Sequence, residues 1–124
     1  MEPNISAVVF HPSAHADLKL LGGSQNKYLA HEVVTRCMQL KFDPLPDESH
    51  DIVCCKKKGY EIRYLKREEF PSHRVLYAID EEKGLVIVFG VMPRSVDYVI
   101  DSDFMRRVIG DYLTYFEMDG YVKG

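Results

Sequence analysis

The chain has 124 residues, of which 46% are hydrophobic and 28% charged, and its formal net charge is −3. This length and composition predict one globular domain covering residues 1–124. No apolar run reaches the roughly 20 residues of a membrane-spanning helix, and the first residues lack the basic and apolar regions of a signal peptide. We therefore expect a cytoplasmic protein that is not bound to a membrane.

The three cysteines do not suggest a structural disulfide or a metal site. Cys54 and Cys55 are adjacent, which is poor geometry for a disulfide, and Cys37 lies on the apolar side of a predicted helix. No cysteine or histidine spacing matches a zinc site. We expect reduced thiols, no metal and no cofactor.

Positive charge is concentrated in the middle of the chain. Residues 54–78 carry seven basic and three acidic side chains, whereas both flanking segments are acidic. Such a run is often only a solvated surface. Because the rest of the chain is acidic, this segment also favours a binding site for a polyanion.

The first half of the chain predicts one strand and two helices. Ser6–Phe10 is a short apolar run ended by a proline, and Ser13–Leu21 has apolar residues at helical spacing. Two glycines separate it from a second helix that begins at Ser24 and continues to about Lys41. Helices joined by so short a turn form an antiparallel hairpin whose apolar stripes need a sheet to cover them.

The second half predicts strands and a last helix. Asp43–Asp51 reads as a polar loop, Ile52–Cys55 is a possible strand start, and Tyr60–Leu65 alternates with period two. After a loop at 66–73, two apolar runs at 74–79 and 85–91 flank a short acidic turn and predict a β-hairpin. A helix at about 102–116 and a frayed tail complete the chain.

This order of elements predicts the α+β class. We expect an N-terminal strand and a helical hairpin packed on a mostly antiparallel four-stranded sheet, with the helices on one face and a C-terminal helix closing the core. Arg74 opens the β-hairpin, and Arg94 and Tyr98 follow it. Two guanidiniums and a phenol at one end of a hairpin indicate a phosphate site.

Four segments, in order, give the chain a family resemblance. They are VVFHPSAHADLKLL, YEIRY, HRVLYAID and VFGVMPRSVDY, between about Ile5 and Tyr98. Together they resemble the RelE/ParE superfamily of bacterial toxins from type II toxin–antitoxin pairs. Members of the RelE branch cleave messenger RNA in the ribosomal A site without a metal. The resemblance implies a cognate antitoxin and ribosome-bound mRNA as partners, in a homodimer or a toxin–antitoxin hetero-oligomer.

The resemblance also implies site residues. Arg74 falls at the family's strand-opening arginine, Arg94 and Tyr98 fall at its closing arginine and tyrosine, and Arg63 falls at the second of two basic positions on the central strand. Cleavage of this kind uses the ribose 2′-OH as nucleophile, and arginine suits the pentavalent phosphate because it stays ionised and offers a planar fork. Tyr98 can act as base or stack on a nucleobase, and His73 is an alternative acid or base.

Two positions depart from the family pattern and remove positive charge. Glu61 stands where lysine is common, and Met92 stands where some members carry another arginine. Lys56, Lys57 and Lys58 can compensate as substrate-binding residues.

Several alternatives remain open at this point. A ParE-like inhibitor of DNA gyrase would share the fold without the chemistry, and a catalytically silent binding module is a third reading. Arg63 could instead pair with Glu68 or Glu69, and Arg94 with Asp97 or Asp101. The last helix either closes the core or docks a partner.

Overall fold

A computed structural model of the protein describes residues 4–23, 27–95 and 102–123, with side chains described as far as residue 117 in the last helix. Its elements are β1 Ala7–Phe10, α1 Pro12–Gly23, α2 Lys27–Met38 with a following 3-10 turn Gln39–Lys41, β2 Ser49–Asp51, α3 Val53–Lys56, β3 Arg63–Leu65, β4 His73–Asp80, β5 Leu85–Pro93 and α4 Asp103–Lys123.

The strands form one five-stranded sheet in the order β1-β5-β4-β3-β2. β1 pairs with β5 in parallel, and the other neighbours are antiparallel. The predicted β-hairpin is β4–β5, and its turn uses Gly84 at a φ of 66°. A Cβ at this glycine would lie 2.8 Å from the carbonyl oxygen of Asn4, so the turn has no room for a side chain. The α+β class is confirmed.

Both faces of the sheet are covered, which corrects the expectation that all helices lie on one face. Along β4, Val75 and Tyr77 face the α1–α2 hairpin, whereas Leu76 and Ala78 face α4. Because both alternating sets of side chains are apolar, each needs a layer of its own. Cys37 of α2 is fully buried between the helical hairpin and the sheet, as expected, and burial raises the pKa of its thiol to about 12.

The stretch between the helical hairpin and β3 was partly misassigned. Ser49–Asp51, predicted as loop, is the edge strand β2, which adds a fifth strand to the sheet. Its three polar residues carry no apolar alternation, so only pairing with β3 defines it. The segment after it, expected to begin a strand, forms α3 because one helical turn buries both Ile52 and Cys55.

The ends of the helices also differ from expectation. α4 continues to Lys123 instead of ending near residue 116. Gly120 costs a helix about 1 kcal/mol, but no proline interrupts the segment, so the backbone can continue. The expected capping residue of α2, Ser24, lies outside the described residues.

A β-bulge sets the register at the end of the hairpin. The pairing shifts between Leu76 and Tyr77, so that Arg74 lies opposite Met92. Beyond the bulge, the backbone N–H of Val91 donates to Asp17 of α1 at 3.0 Å. Arg107 of α4 donates to the same carboxylate at 2.9 and 2.7 Å. This ion pair joins the two helical layers around the edge of β5.

Candidate functional site

The ends of β4 and β5 that carry Arg74 and Arg94 border a cleft of about 580 Å³. We call it the sheet-end cleft. It is lined by Asp47, Glu48, His50, Lys66, Arg67, Glu68, Glu69, Pro71, Arg74 and Arg94. The two arginines that the sequence placed at one end of the hairpin therefore meet in one concave site.

Arg74 is held rigidly in the wall of this cleft. Its side chain is almost completely buried, with the residue only 9% exposed. Nη1 donates to the carbonyl oxygens of Pro71 at 3.1 Å and His73 at 3.0 Å. Within the described residues, all its hydrogen bonds use this one nitrogen, so Nε and Nη2 keep donors for a ligand.

Arg94 continues the hairpin one residue beyond β5. Its backbone N–H donates to the carbonyl oxygen of Ser72 at 2.8 Å, which fixes the chain next to the start of β4. Its side chain is exposed and lines the cleft. The site thus combines one buried and one solvated guanidinium, a pairing suited to holding a phosphate that enters from water.

Two further cleft residues were missed by the sequence reading. Lys66 follows β3, where its N–H donates to the carbonyl oxygen of Glu48 at 3.1 Å. His50 lies exposed on β2, with its ring 5.3 Å from that of Tyr64. The alternation that placed Tyr64 on this face also places Lys66 there, so that residue was predictable. His50 was not, because β2 was read as loop.

Arg67 is neutralised within the cleft. It donates to Glu69 through Nε at 2.9 Å and Nη2 at 3.1 Å, and to Glu48 through Nη1 at 3.3 Å. The hydrogen bonds from Arg67 lower the pKa of Glu69. This bidentate ion pair makes Arg67 part of the scaffold and leaves it few donors for a ligand.

The lining of the cleft carries equal numbers of basic and acidic side chains, but the acidic side chains do not pair with all of the basic ones. Four basic side chains face four carboxylates. In the part of the chain that the structure describes, no carboxylate lies within ion-pair distance of Lys66, Arg74 or Arg94. Among the described residues, these three side chains are the cations of the lining that no carboxylate pairs. Asp97 and Asp101, the suggested partners of Arg94, lie outside those residues.

Arg63 does not join this site. It lies on the face of β3 that points toward the α1–α2 hairpin, opposite Tyr77 in register. Its guanidinium donates to Asp51 at 2.7 Å and to the hydroxyl of Ser49 at 2.8 Å. The strand alternation therefore separates it from Arg74. The suggested pairing of Arg63 with Glu68 or Glu69 is also wrong, since its partner is Asp51.

His73 also lies away from the cleft lining. It precedes Arg74 on β4, so its side chain points to the opposite face of the strand. Its Nδ1 is hydrogen bonded to the hydroxyl of Ser72 at 2.8 Å, and burial lowers the pKa of its imidazole. Tyr98, the expected base, lies outside the described residues.

The three lysines of the basic loop differ in their surroundings. Lys56 ends α3 and pairs with Asp51 at 2.8 Å. Lys57 lines a second depression next to the cleft, and Lys58 is exposed in the following turn. The structure therefore brings none of them into the lining of the sheet-end cleft.

The described residues contain neither a candidate metal site nor a candidate membrane span. No cluster of three or more His, Cys, Asp or Glu side chains there could hold a metal ion. No helix in these ranges is long and apolar enough to cross a membrane.

A five-stranded sheet with a helical hairpin on one face and a helix on the other defines a small α+β fold. Residues 8–98 match the sequence profile of the family described as the ParE toxin of type II toxin–antitoxin system, parDE. The match spans most of the chain, which therefore belongs to the ParE toxin family of type II toxin–antitoxin systems. The resemblance to the RelE/ParE superfamily is confirmed.

A solved structure supports the same fold. The crystal structure of the toxin–antitoxin complex RelBE2 from Mycobacterium tuberculosis contains a chain that is 23% identical to this one, with a TM-score of 0.57. The alignment covers 75% of this chain and 100% of that chain. No curated protein shows a significant sequence match.

Proposed function

We propose that this toxin is a ribosome-dependent mRNA endoribonuclease that needs no metal. One observation carries the proposal: Arg74, Arg94 and Lys66, none of them paired with a described carboxylate, line one cleft with the imidazole of His50. Phosphate stabilisation and proton transfer are the two tasks of such an enzyme, and this cleft holds side chains suited to both.

The arginines suit the phosphate. In the proposed reaction, the ribose 2′-oxygen attacks the adjacent phosphorus while the bond to the 5′-oxygen breaks. The products are a 2′,3′-cyclic phosphate and a 5′-hydroxyl end. Negative charge accumulates on the non-bridging oxygens as the new bond forms. Arg74, fixed by two carbonyl groups, offers a preorganised donor, and Arg94 and Lys66 add charge from the solvent side.

Proton transfer is assigned to His50 and Tyr98. A base must accept the proton of the 2′-OH, and an acid must protonate the departing 5′-oxygen. An imidazole accepts a proton on its free ring nitrogen and donates it when protonated, so it can serve either role. His50 is exposed on the cleft wall, within reach of a bound substrate. Tyr98 keeps its predicted role as the second group.

An antitoxin is the proposed protein partner. The structural relative RelBE2 is a toxin–antitoxin complex. We propose that an antitoxin segment with acidic side chains covers the sheet-end cleft and neutralises Arg74, Arg94 and Lys66. Because the target is translating mRNA, the toxin acts in the cytoplasm.

Inhibition of DNA gyrase is the second candidate, and the carboxylates of the cleft favour it. Asp47, Glu48, Glu68 and Glu69 line the same space as the cations. A surface with interspersed charges suits a protein partner better than a polyanion. In this reading, the arginines would contact the partner protein and no proton transfer would be needed.

One pair of assays separates the two candidates. The purified toxin is added to a translation extract, and the 5′ ends of ribosome-bound mRNA are mapped. Gyrase supercoiling is measured in parallel. We expect new 5′-hydroxyl ends within translated codons and unimpaired supercoiling. Intact mRNA together with blocked supercoiling would reject the endoribonuclease.

A matched pair of arginine variants connects the activity to the cleft. Arg94→Ala removes a cleft guanidinium, whereas Arg106→Ala removes one that is exposed on α4. We expect cleavage to fall about 10-fold in the first variant, because a solvent-exposed cation stabilises the phosphate less than the buried Arg74, and to stay unchanged in the second. Equal activity of both variants would contradict the assigned site.

A further inference from the structure

A second depression of about 370 Å³ lies beside the sheet-end cleft and is not part of the site described above. It is lined by Asp51, Ile52, Val53, Cys54, Lys57 and Tyr64. Its lining combines one aromatic ring, several apolar side chains, one lysine and one carboxylate, that of Asp51. This is a suitable environment for a nucleobase and its phosphate.

The cleft and the depression meet at a pair of rings. His50 lines the cleft, Tyr64 lines the depression, and the two residues are directly opposite in the β2–β3 register. Their ring centroids are 5.3 Å apart. A ligand that extends from one space to the other therefore crosses an aromatic surface.

The ring of Tyr64 lies close to the phosphate site and on the same side of the sheet. Tyr64 pairs with Leu76, two residues along β4 from Arg74. At about 3.4 Å per residue and 4.8 Å between strands, the Cα atoms of Tyr64 and Arg74 are roughly 8 Å apart. That separation suits neighbouring parts of a single nucleic-acid strand.

The charges around the depression favour an anion at Lys57. Asp51 is the carboxylate in the lining, and it is already neutralised by Arg63 at 2.7 Å and Lys56 at 2.8 Å. These contacts lower its pKa, with the hydrogen bond from Lys56 as the largest cause. Val53, 66% exposed, supplies an apolar surface next to Lys57. Lys57 therefore lies beside an apolar surface and a carboxylate that two other cations already pair.

We propose that a single-stranded RNA held at Arg74 and Arg94 continues across Tyr64, which stacks a nucleobase, and places a neighbouring phosphate on Lys57. The proposal rests on the endoribonuclease function and adds a substrate-binding subsite to it. Stacking accepts every base, whereas the apolar depression limits the size and polarity of the base that enters. Tyr64 and Lys57 are thus the residues that contact the nucleotide next to the scissile phosphate.

Two neighbouring lysines provide a matched test. Both are exposed and follow each other in one turn, but only Lys57 lines the depression. Binding is measured by fluorescence anisotropy with a fluorescein-labelled hexanucleotide whose 2′-oxygens are methylated, which blocks the nucleophile. We expect Lys57→Ala to weaken binding several-fold and to reduce the slope of log K against log salt by about 0.7. Lys58→Ala leaves both quantities unchanged.

The ring of Tyr64 is tested by two substitutions. Tyr64→Phe keeps the aromatic face. Tyr64→Leu keeps an apolar side chain of similar bulk but removes the aromatic face. We expect wild-type affinity for the first and a loss of about 5- to 100-fold for the second, the range for one base stacked on an aromatic side chain. Unchanged circular dichroism and thermal unfolding would establish that both variants are folded.

The outcomes separate this subsite from the enzyme function. Suppose that the wild type cleaves ribosome-bound mRNA. Equal RNA affinities of Lys57→Ala and Lys58→Ala, or of Tyr64→Leu and Tyr64→Phe, then overturn the subsite but not the enzyme function. Cleavage without any binding of the hexanucleotide overturns it as well. Absence of cleavage on the ribosome overturns the endoribonuclease, and the subsite with it.

Discussion

Arg63 and Arg74 lie on neighbouring strands but in opposite chemical situations. Arg63 faces the α1–α2 hairpin, where its three nitrogens donate to Ser49 and Asp51. Arg74 faces the other side of the sheet, where its hydrogen bonds to the described residues run from Nη1 to two backbone carbonyl groups. The donors of Arg63 are therefore used in contacts within the protein, whereas Arg74 is fixed in position and keeps donors for a ligand.

The difference follows from partners, not from residue type. On the hairpin side, Arg63 donates to the hydroxyl of Ser49, which is 2.6 Å from the hydroxyl of Tyr77. Tyr77 in turn donates to the carbonyl oxygen of Pro44 at 2.7 Å. This continuous series of hydrogen bonds, from Arg63 to the carbonyl oxygen of Pro44, stabilises the edge of the sheet. Among the described residues, no comparable chain of hydrogen bonds engages Arg74, which is why we assign function to the sheet-end cleft.

The largest expected effect is the loss of activity in Arg74→Ala. We expect it to relieve growth arrest on expression and to lower mRNA cleavage about 100-fold or more, because a preorganised phosphate donor is removed. Arg63→Ala is the matched control and should keep its toxicity per folded molecule. An equal loss of cleavage activity in both variants would show that the two arginines do not differ in function.

Removal of the Tyr77 hydroxyl should lower the stability of the sheet edge that faces the α1–α2 hairpin. Tyr77 is fully buried, and burial raises the pKa of its phenol. Tyr77→Phe leaves the hydroxyl of Ser49 and the carbonyl of Pro44 without this partner, so we expect the free energy of unfolding to fall by about 1–3 kcal/mol. Urea denaturation measures it. Tyr28→Phe, at a position 77% exposed, is the control and should unfold like the wild type.

A smaller loss of stability is expected for Arg63→Ala. Its side chain is partly solvated, and so is that of Asp51, so screening limits the contribution of the ion pair. We expect the free energy of unfolding to fall by about 1 kcal/mol. A loss as large as that of Tyr77→Phe would mean that the arginine, not the tyrosine, secures this network.

The smallest expected effect is a pH dependence from His73. Burial lowers the pKa of its imidazole below the ordinary value of about 6.5, so the unfolded chain binds a proton more readily than the folded one. Stability should therefore be constant above about pH 6.5 and decrease as the pH falls below it. His73→Gln should flatten this decrease, whereas His31→Gln, exposed on α2, should not.

Much of the fold was predictable from local patterns. The β4–β5 hairpin follows from two apolar runs around an acidic turn with Gly84, and Cys37 was placed in the core by helical spacing. The placement of α4 was not predictable, because the amphipathic pattern of a helix says that one side is buried but not against which face of the sheet.

The candidate site was predictable only in part. Arg74 and Arg94 flank one hairpin, and antiparallel pairing brings the ends of such strands together. The family resemblance implied Arg63 as a site residue, but the face of β3 on which it lies could not be determined without the register of β2 and β3. His50 was missed because a three-residue polar edge strand leaves no periodic signal.

Local patterns are enough to predict the class of fold, the β-hairpin and the two arginines at its end, since these depend on residues that are near one another in the chain. Which cations remain available to a ligand depends on the packing of the folded chain. Arg67 is neutralised by Glu69 and Glu48, and Arg63 by Asp51, through contacts that only pairing of the strands and packing of the loops creates. A charge acts on a ligand only when the fold leaves it unpaired, and that depends on partners distant in sequence.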